Sequence, residues 1–305
     1  MEIINAHVHA IDLKGMISRF PDLTLSSGIA TFSNLAQLLP LLDPTVLLKQ
    51  MDEAGIRQSI LYAVDAPIVY ASNEYVADLC RMFPDRFIGF ASVDPKKDSA
   101  LDILKKAIHD LGLKGIKFHP PLQNFFVNDP KLYPIYEWAQ EEGLPIVFHI
   151  GTTPFGHLCR LSQANPLLLD DIAVDFPYLK IVLTHLGTLW QDEAFMVVEK
   201  NPNVFIDTAA YLYEIEELLT DTLISRIGED KIIFGTDYPM PSPPHPVHQM
   251  KTFVEKIKQL PLSPEIKEKI FSKNLKRVLE VSKDNLVQMV SIQDVIHLIG
   301  PGETW

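Results

Sequence analysis

Short apolar segments rich in β-branched residues recur along the chain between longer amphipathic stretches. Several of them are hydrophobic at nearly every position, which is typical of parallel strands that are covered on both faces. The segments number eight, at intervals of roughly thirty residues, about the length of one strand–helix–strand unit. They begin at Ile3, Ser59, Phe87, Gly115, Pro145, Ile181, Val204 and Ile232.

The stretches between these segments carry the sequence signals of helices. Asp43 and Pro44 predict an N-cap and a first helical position, and Gly55 predicts the end of that helix. Ser72 is the predicted N-cap of the next helix, and apolar residues at 3.6-residue spacing predict another over Asp98–Leu111. Further helices are predicted near Lys131–Glu142, Leu167–Phe176, Asp192–Glu199 and Glu214–Ile227.

Eight strands alternating with helices predict an α/β fold, a closed parallel (β/α)8 TIM barrel. An open doubly wound sheet is the alternative, but no Gly-rich phosphate turn follows the first strand. Two segments exceed the repeat: a long excursion after the first strand, over Ile11–Asp43, and a run of C-terminal helices after Lys251. We therefore expect one domain over residues 1–305, with the barrel over about 1–260 and a helical appendage over about 261–305.

Composition limits the cellular compartments and the binding partners that we expect for this protein. The chain has 305 residues, of which 47% are hydrophobic and 22% charged, as in ordinary globular proteins. A net charge of -12 argues against nucleic acid or an anionic membrane as a partner, because both attract clustered Lys and Arg. Two cysteines form no disulfide framework, and we see no signal peptide and no membrane-spanning apolar run. We expect a cytoplasmic protein.

The first strand ends in two histidines separated by one residue. Side chains alternate along a strand, so His7 and His9 are expected on one face, with Ala6 and Val8 on the other. Two imidazoles on one face can reach the same metal ion.

Other strands also end in polar residues, where barrel enzymes place their active sites. Strand four ends in Lys117 and His119, strands five and six in His149 and His185, and strand eight in Asp237. In a closed barrel all of these side chains converge on one mouth. Imidazole and carboxylate ligands suit zinc, manganese or iron, so the sequence predicts a divalent metal site.

These motifs, taken in order, resemble a known enzyme superfamily. The series H-V-H, G-I-K-F-H-P, V-F-H-I-G, L-T-H-L-G and F-G-T-D-Y-P resembles the amidohydrolase superfamily. It is most similar to the branch of TIM-barrel metal-dependent hydrolases related to aminocarboxymuconate-semialdehyde decarboxylase, from Ile3 to about Leu279. This resemblance implies that His7, His9, His149 and Asp237 bind one metal ion.

The resemblance and simple electrostatics suggest the same division of roles. His185 matches a histidine that lies near the metal-bound water or the substrate in members with one metal. Three imidazoles and one carboxylate leave the ion a positive charge, which lowers the pKa of bound water towards ~7. We expect Asp237 to accept a proton from that water and His185 to orient or protonate the substrate. The expected ion is Zn²⁺, with Mn²⁺ and Fe²⁺ as alternatives.

Lys117 has more than one interpretation. Members with two metals use a carbamylated lysine on strand four to bridge the ions, and a salt bridge within the mouth is a second alternative. We favour an unmodified ammonium that binds a substrate carboxylate, with His119 beside it, because an anionic substrate needs a cation in so acidic a chain.

Three functions fit these residues. The first is hydrolysis, in which metal-activated water attacks the amide, ester or lactone carbonyl of a small substrate that bears a carboxylate. The second is non-oxidative decarboxylation at the same site, and the third is a metal-binding scaffold barrel without catalysis. The motifs do not separate the first two, and we rank hydrolysis first because it is the more widespread activity in the superfamily.

Two long loops are expected near the mouth of the barrel. The excursion Ile11–Asp43 should pack over the mouth or against a second subunit of a homodimer, with Phe20 or Phe32 near the pocket. The Pro-rich segment after strand eight carries His245 and His248 as further candidates for substrate contact.

Overall fold

The computed structural model describes residues 1–20, 39–67, 69–153, 155–210, 215–239 and 250–280. Eight parallel strands lie at the predicted segments, and each begins within one residue of its predicted start. They are β1 Ile4–His9, β2 Gln58–Tyr62, β3 Phe87–Phe90, β4 Ile116–Phe118, β5 Pro145–Phe148, β6 Lys180–Leu183, β7 Val204–Asp207 and β8 Ile232–Ile233.

The strands pair in sequence order to form a closed barrel. β1, β2 and β3 form one hydrogen-bonded run, and β4 to β8 form another. Two parallel bridges join these runs, one between Ala91 and Ile116 and the other between Val8 and Tyr238. The predicted TIM barrel is confirmed, and the carboxyl ends of all eight strands surround one mouth.

Helices pack around the outside of the barrel, and the last of them lies across its amino-terminal end. The α-helices are Leu13–Arg19, Pro44–Ala54, Asn73–Met82, Ala100–His109, Pro120–Gln123, Tyr133–Glu141, Leu167–Asp175, Gln191–Lys200, Ile215–Leu218, Asp221–Ile227, Met250–Gln259, Pro264–Glu268 and Asn274–Glu280. Single turns of 3-10 helix lie at Leu39–Leu42, Pro130–Leu132, Gly156–Leu158, Leu161–Ala164 and His185–Gly187, and a π-helical turn at Lys269–Lys273. A short antiparallel pair, Val64–Asp65 with Tyr70–Ala71, follows β2.

Local sequence signals set most helix boundaries. The Asp43 side chain accepts a hydrogen bond from the backbone of Thr45, and Gly55 ends that helix with a left-handed φ of 69°. The predicted helix Glu214–Ile227 is instead divided into two. Thr220 interrupts it, because its side chain caps the second helix by accepting from the backbone N–H of Leu223.

Alternate strand residues build two apolar layers. One layer fills the barrel, and the other joins the outer faces of the strands to the helices. The interior layer draws one or two residues from most strands, namely Ile4, Ala6, Ile60, Tyr62, Phe90, Val147, Val182, Phe205 and Ile233.

β1 departs from simple alternation. Its pairing with β2 shifts register between Asn5 and Val8, so that β1 contains one extra residue. The expectation that Ala6 faces away from His7 is therefore wrong: Ala6 packs with the interior layer, whereas Val8 packs with the outer one. Because of the extra residue, the consecutive side chains of Ala6 and His7 both face inward, and His7 and His9 both point into the mouth.

The helix Asn274–Glu280 closes the amino-terminal end of the barrel. Leu275 and Val278 pack into the interior layer. Nζ of buried Lys180, the first residue of β6, donates to the carbonyl of Val278 at 2.9 Å. The opposite, carboxyl end of the barrel is therefore the end available to a substrate.

Part of the predicted excursion and of the Pro-rich segment lies outside the described residues. Phe32, His245 and His248 are among these. At the root of the excursion, the helix Leu13–Arg19 leads to Phe20, whose ring lies edge-on to Tyr70 with centroids 5.8 Å apart. Within the described ranges, no helix has the length and apolarity needed to cross a bilayer.

Candidate metal centre and active site

Three potential ligand atoms meet at the mouth, where β1 faces the end of β8. Nε2 of His7 and Nε2 of His9 lie 3.3 Å apart, and each lies 3.1 Å from Oδ1 of Asp237. This oxygen is buried and, within the described part of the chain, makes no hydrogen bond of acceptable geometry. Buried polar atoms normally have partners, so a converging set with an unsatisfied carboxylate oxygen fits a bound cation.

The protonation states of these groups also suit a divalent ion. Burial lowers the pKa of His9 to about 4, so its imidazole is neutral near pH 7. Burial opposes ionisation of Asp237, but the neighbouring histidines outweigh it and hold the pKa of this carboxyl well below its ordinary value. A neutral imidazole beside an ionised carboxylate, as in His9 and Asp237, is a pair of donors that Zn²⁺ and similar ions bind. The residues present therefore fit a metal.

Asp207, at the end of β7, orients the first of these histidines. Its Oδ2 lies 2.7 Å from Nδ1 of His7, and its Oδ1 accepts from the backbone N–H groups of His185 (2.8 Å) and Ala209 (3.0 Å). A carboxylate at Nδ1 holds the proton there and leaves the lone pair of Nε2 directed at the ligand set. The structure thus places Asp207 in support of the candidate metal site, against His7.

The pKa of His7 follows from this environment. Burial and the charge of Lys117 act to lower the pKa, yet Asp207 and Asp237 outweigh them and raise it above the ordinary value. The cluster His7, His185 and Asp207 could also be considered as a ligand group. We treat it as hydrogen bonding, because Asp207 already holds Nδ1 of His7 at 2.7 Å.

His149 and His185 face one another beside the three-atom set. Nδ1 of His149 lies 3.0 Å from Nε2 of His185, and their outer nitrogens face the carbonyls of Thr152 (3.2 Å) and Ala209 (3.2 Å). A carbonyl oxygen only accepts hydrogen bonds, so Nε2 of His149 and Nδ1 of His185 each carry a proton. The two nitrogens that face each other, Nδ1 of His149 and Nε2 of His185, then either share one further proton or direct two lone pairs at each other. The structure thus places His149 on His185 and does not bring it into the group formed by His7, His9 and Asp237.

Lys117 lies inside the mouth without a polar partner. Its side chain is fully buried, and Nζ lies 4.9 Å from the ring centroid of Tyr62. Among the described residues, Nζ has no hydrogen-bond partner and forms no ion pair, so the structure does not show the salt bridge that was one interpretation of this residue. Burial lowers the pKa of Lys117 to about 8. A buried ammonium without a partner is suited to bind an anionic ligand.

His119 forms one wall next to His149. The two imidazoles stack in parallel with ring centroids 3.9 Å apart. Nδ1 of His119 accepts from the backbone of Leu122, which leaves the proton of the neutral ring on Nε2. Burial holds the pKa of His119 well below its ordinary value, so the ring can donate a hydrogen bond without carrying charge.

Tyr62 is a residue of the mouth that the sequence analysis did not single out. Its ring lies 4.8 Å from the ring of His7 and 5.9 Å from that of His9, and its hydroxyl donates to the carbonyl of Ala6. Its position as the last residue of β2 was the available signal, since the carboxyl end of each strand faces the mouth.

The fold and the site together define a TIM-barrel protein with metal-type donors at its carboxyl face. The profile of the amidohydrolase family matches residues 4–281. This chain belongs to the amidohydrolase family, as the resemblance in its motifs predicted.

Curated relatives in this family include two decarboxylases with different substrates. The gamma-resorcylate decarboxylase of Rhodococcus jostii is 28% identical, and the match covers 67% of this chain and 79% of the relative. The 2-amino-3-carboxymuconate-6-semialdehyde decarboxylase of Dictyostelium discoideum is 22% identical, and the match covers 71% of this chain and 73% of the relative.

Solved structures show the same architecture. The 5-carboxyvanillate decarboxylase of Novosphingobium aromaticivorans, crystallised with manganese and 4-hydroxy-3-methoxy-5-nitrobenzoic acid, superimposes with a TM-score of 0.70 at 19% identity. The match covers 92% of this chain and 96% of that enzyme. The comparisons with named relatives favour the decarboxylase alternative over the hydrolase interpretation that the sequence placed first.

Proposed function

We propose that this protein is a metal-dependent, non-oxidative decarboxylase of a small carboxylate in which the carboxyl group is attached to an unsaturated carbon. Two relatives that differ in substrate are both named as decarboxylases of such compounds. The observation in the structure that carries the proposal is the buried ammonium of Lys117, which has no hydrogen-bond partner among the described residues and lies inside the mouth that holds the metal-type donors. A cation at this point serves an anionic substrate.

His7, His9 and Asp237 would hold the metal, and we propose His149 as a further ligand. A divalent ion held there would supply a positive charge that favours an anionic oxygen of the substrate and withdraws electron density from it. Zn²⁺ remains the ion we predict, with Mn²⁺ and Fe²⁺ as alternatives. Manganese deserves direct comparison, because it is present in the 5-carboxyvanillate decarboxylase structure.

Lys117 and His119 are the proposed substrate-binding residues. The ammonium of Lys117 would form an ion pair with the carboxylate or with a second anionic oxygen, which would also give Nζ the partner it lacks. His119 would donate from Nε2, because its Nδ1 is already an acceptor. The flat stack of His119 on His149 suits a planar conjugated substrate.

The reaction breaks the bond between the carboxyl carbon and the unsaturated carbon. The electron pair stays on the unsaturated carbon, which takes up one proton, and carbon dioxide leaves. We propose that His185 and Asp237 handle this proton. Nε2 of His185 lies 3.0 Å from Nδ1 of His149, so it is the nitrogen of His185 that faces the proposed ligands.

One experiment tests decarboxylation against hydrolysis. Metal-loaded protein is incubated with ¹³C-carboxyl-labelled gamma-resorcylate and 5-carboxyvanillate, and separately with amide, ester and lactone substrates in H₂¹⁸O. We expect labelled carbon dioxide from a carboxylate and no ¹⁸O in the organic product. Incorporation of ¹⁸O into the products of the second set, with no carbon dioxide from the first, would instead establish the hydrolase function.

The matched variant is Lys117→Met, which keeps the length of the side chain and removes its charge. We expect it to retain the metal and to raise KM for the carboxylate at least tenfold, the order of a charge-assisted hydrogen bond. An unchanged KM would remove Lys117 from substrate binding. A mass increase of about 44 Da on the wild-type lysine would support the carbamylated alternative.

A further inference from the structure

A buried asparagine lies beside the donor set, at the seam where β1 meets the end of β8. Oδ1 of Asn5 accepts hydrogen bonds from the backbone N–H groups of His7 (3.2 Å) and Thr236 (3.1 Å). Its Nδ2 donates to Oγ1 of Thr236 at 2.8 Å. One fully buried side chain thus joins two backbone segments that are 231 residues apart in the sequence.

The irregular backbone of this seam explains why a side chain is needed. Backbone bonds cross it from Ala6 to Phe234, from Asp237 to His7 and from His9 to Tyr238, and Ala6 and His7 lie within the register shift of β1 against β2. Within the described chain, no backbone bond across the seam uses the N–H of His7 or of Thr236. The carboxamide of Asn5 supplies the acceptor for these two N–H groups that no backbone carbonyl supplies across the seam.

Both anchored segments carry proposed metal ligands. His7 is itself bonded to Asn5, and Thr236 immediately precedes Asp237. Asp237 has a left-handed φ of 63°, a conformation that residues other than glycine rarely adopt and that surrounding bonds must hold. Gly235 shows how close the segments are, since a Cβ added there would lie 2.9 Å from Cβ of His7.

We propose that Asn5 is a positioning residue of the metal centre, which sets the spacing between the backbone of His7 and that of Asp237. It contacts neither ion nor substrate, and the inference rests on the proposed metal site. Thr236 belongs to the same hydrogen-bond network, because its hydroxyl accepts from Asn5 and donates to the carbonyl of His7 at 3.4 Å.

The test compares two buried asparagines. Asn5→Leu removes the carboxamide without leaving a large cavity, and Asn203→Leu is the matched control. Asn203 is 1% exposed, and its Nδ2 donates to three carbonyls, those of Ala173, Phe176 and Leu179. The readouts are the Kd for Mn²⁺ and Zn²⁺ from competition with a chelator, and the Tm of the metal-free protein.

We expect both variants to lower the Tm of the metal-free protein, whereas only Asn5→Leu weakens metal binding, by about 10- to 100-fold. Asn5→Asp keeps the acceptor oxygen and should bind metal within about threefold of wild type, or more tightly. If Asn5→Leu does not fold, Thr236→Val removes the hydroxyl from the same hydrogen-bond network and should weaken metal binding at least threefold.

The inference would be overturned if Asn5→Leu bound metal with wild-type affinity, or if Asn5→Leu and Asn203→Leu lost metal affinity equally. It would also be overturned if Asn5→Asp lost as much metal affinity as Asn5→Leu. If Asn5→Leu does not fold, wild-type affinity in Thr236→Val would also overturn it. Failure of the wild-type protein to bind either ion is a separate outcome, because it would overturn the proposed metal site itself.

Discussion

Asp207 offers the sharpest test of how the metal centre is preorganised. In Asp207→Asn the side chain keeps its size but loses its charge and one acceptor. If the amide oxygen still accepts from the backbone of His185 and Ala209, the amide NH₂ must face Nδ1 of His7. Nδ1 must then give up its proton, which moves to Nε2, the atom directed at His9 and Asp237.

The structure sets the size of the expected effect. The contact between Asp207 and His7 is 2.7 Å long and both side chains are fully buried, so it belongs to the charge-assisted class worth about 1.5–3 kcal/mol. This corresponds to a metal affinity lower by about 10- to 150-fold, since about 1.4 kcal/mol is a factor of ten. Substitution of groups that support metal ligands commonly costs 10- to 100-fold.

The assay is competition with a chelator at fixed pH, with the Tm of the metal-free protein measured in parallel. Asp170→Asn is the control, because Asp170 accepts from Lys200 (2.6 Å) and Asn201 (2.7 Å) on the surface of the barrel. It should leave metal affinity unchanged. Wild-type affinity in Asp207→Asn would refute the argument that Asp207 fixes the tautomer of His7.

Three further expectations follow from particular side chains. The variant His185→Asn should keep its metal but turn over substrate at least a hundredfold more slowly. If elemental analysis shows that His185→Asn loses metal as completely as His149→Ala, then His185 is a ligand. Burial lowers the pKa of Lys180 to about 8 from 10.5, so the unfolded chain binds more protons between these values and stability should rise with pH across that window. Urea unfolding of Lys180→Met should show a slope smaller by up to about 1.4 kcal/mol per pH unit, and an unchanged slope would contradict the assignment. Light scattering should give the mass of a homodimer, in keeping with exposed apolar side chains such as Leu189, and a monomer mass would remove that prediction.

The positions of strands and helices could be predicted because their signals are local. Apolar runs located all eight strand starts to within one residue, and Asp43, Ser72 and Gly55 act as caps where they were predicted. Where a local signal was underestimated, the prediction failed: Thr220 caps a helix in the middle of what periodicity suggested was one element. Periodicity reports burial, whereas the cap decides where hydrogen bonding begins.

The candidate ligands could also be identified from the sequence, because the carboxyl ends of parallel strands must meet at one mouth. Their detailed arrangement could not. Alternation placed Ala6 opposite His7, and the bulge in β1 overturned this, because register depends on the neighbouring strands β2 and β8. The contact of His149 with His185 likewise depends on the tertiary structure, because the strands that precede these residues, β5 and β6, pair side by side.

The barrel, the metal-type donors and the family could be predicted from the order of residues along the chain, since each follows from short-range pattern and from the chemistry of residue types. The groups that support the donors are known only from the folded structure. Asp207 meets His7 across 200 residues, and Asn5 meets Thr236 across 231. Such pairs form when closure of the barrel brings the carboxyl ends of β7 and β8 to the same mouth as the end of β1. The energy of a buried hydrogen bond depends on that proximity, which is absent from the linear order of the chain.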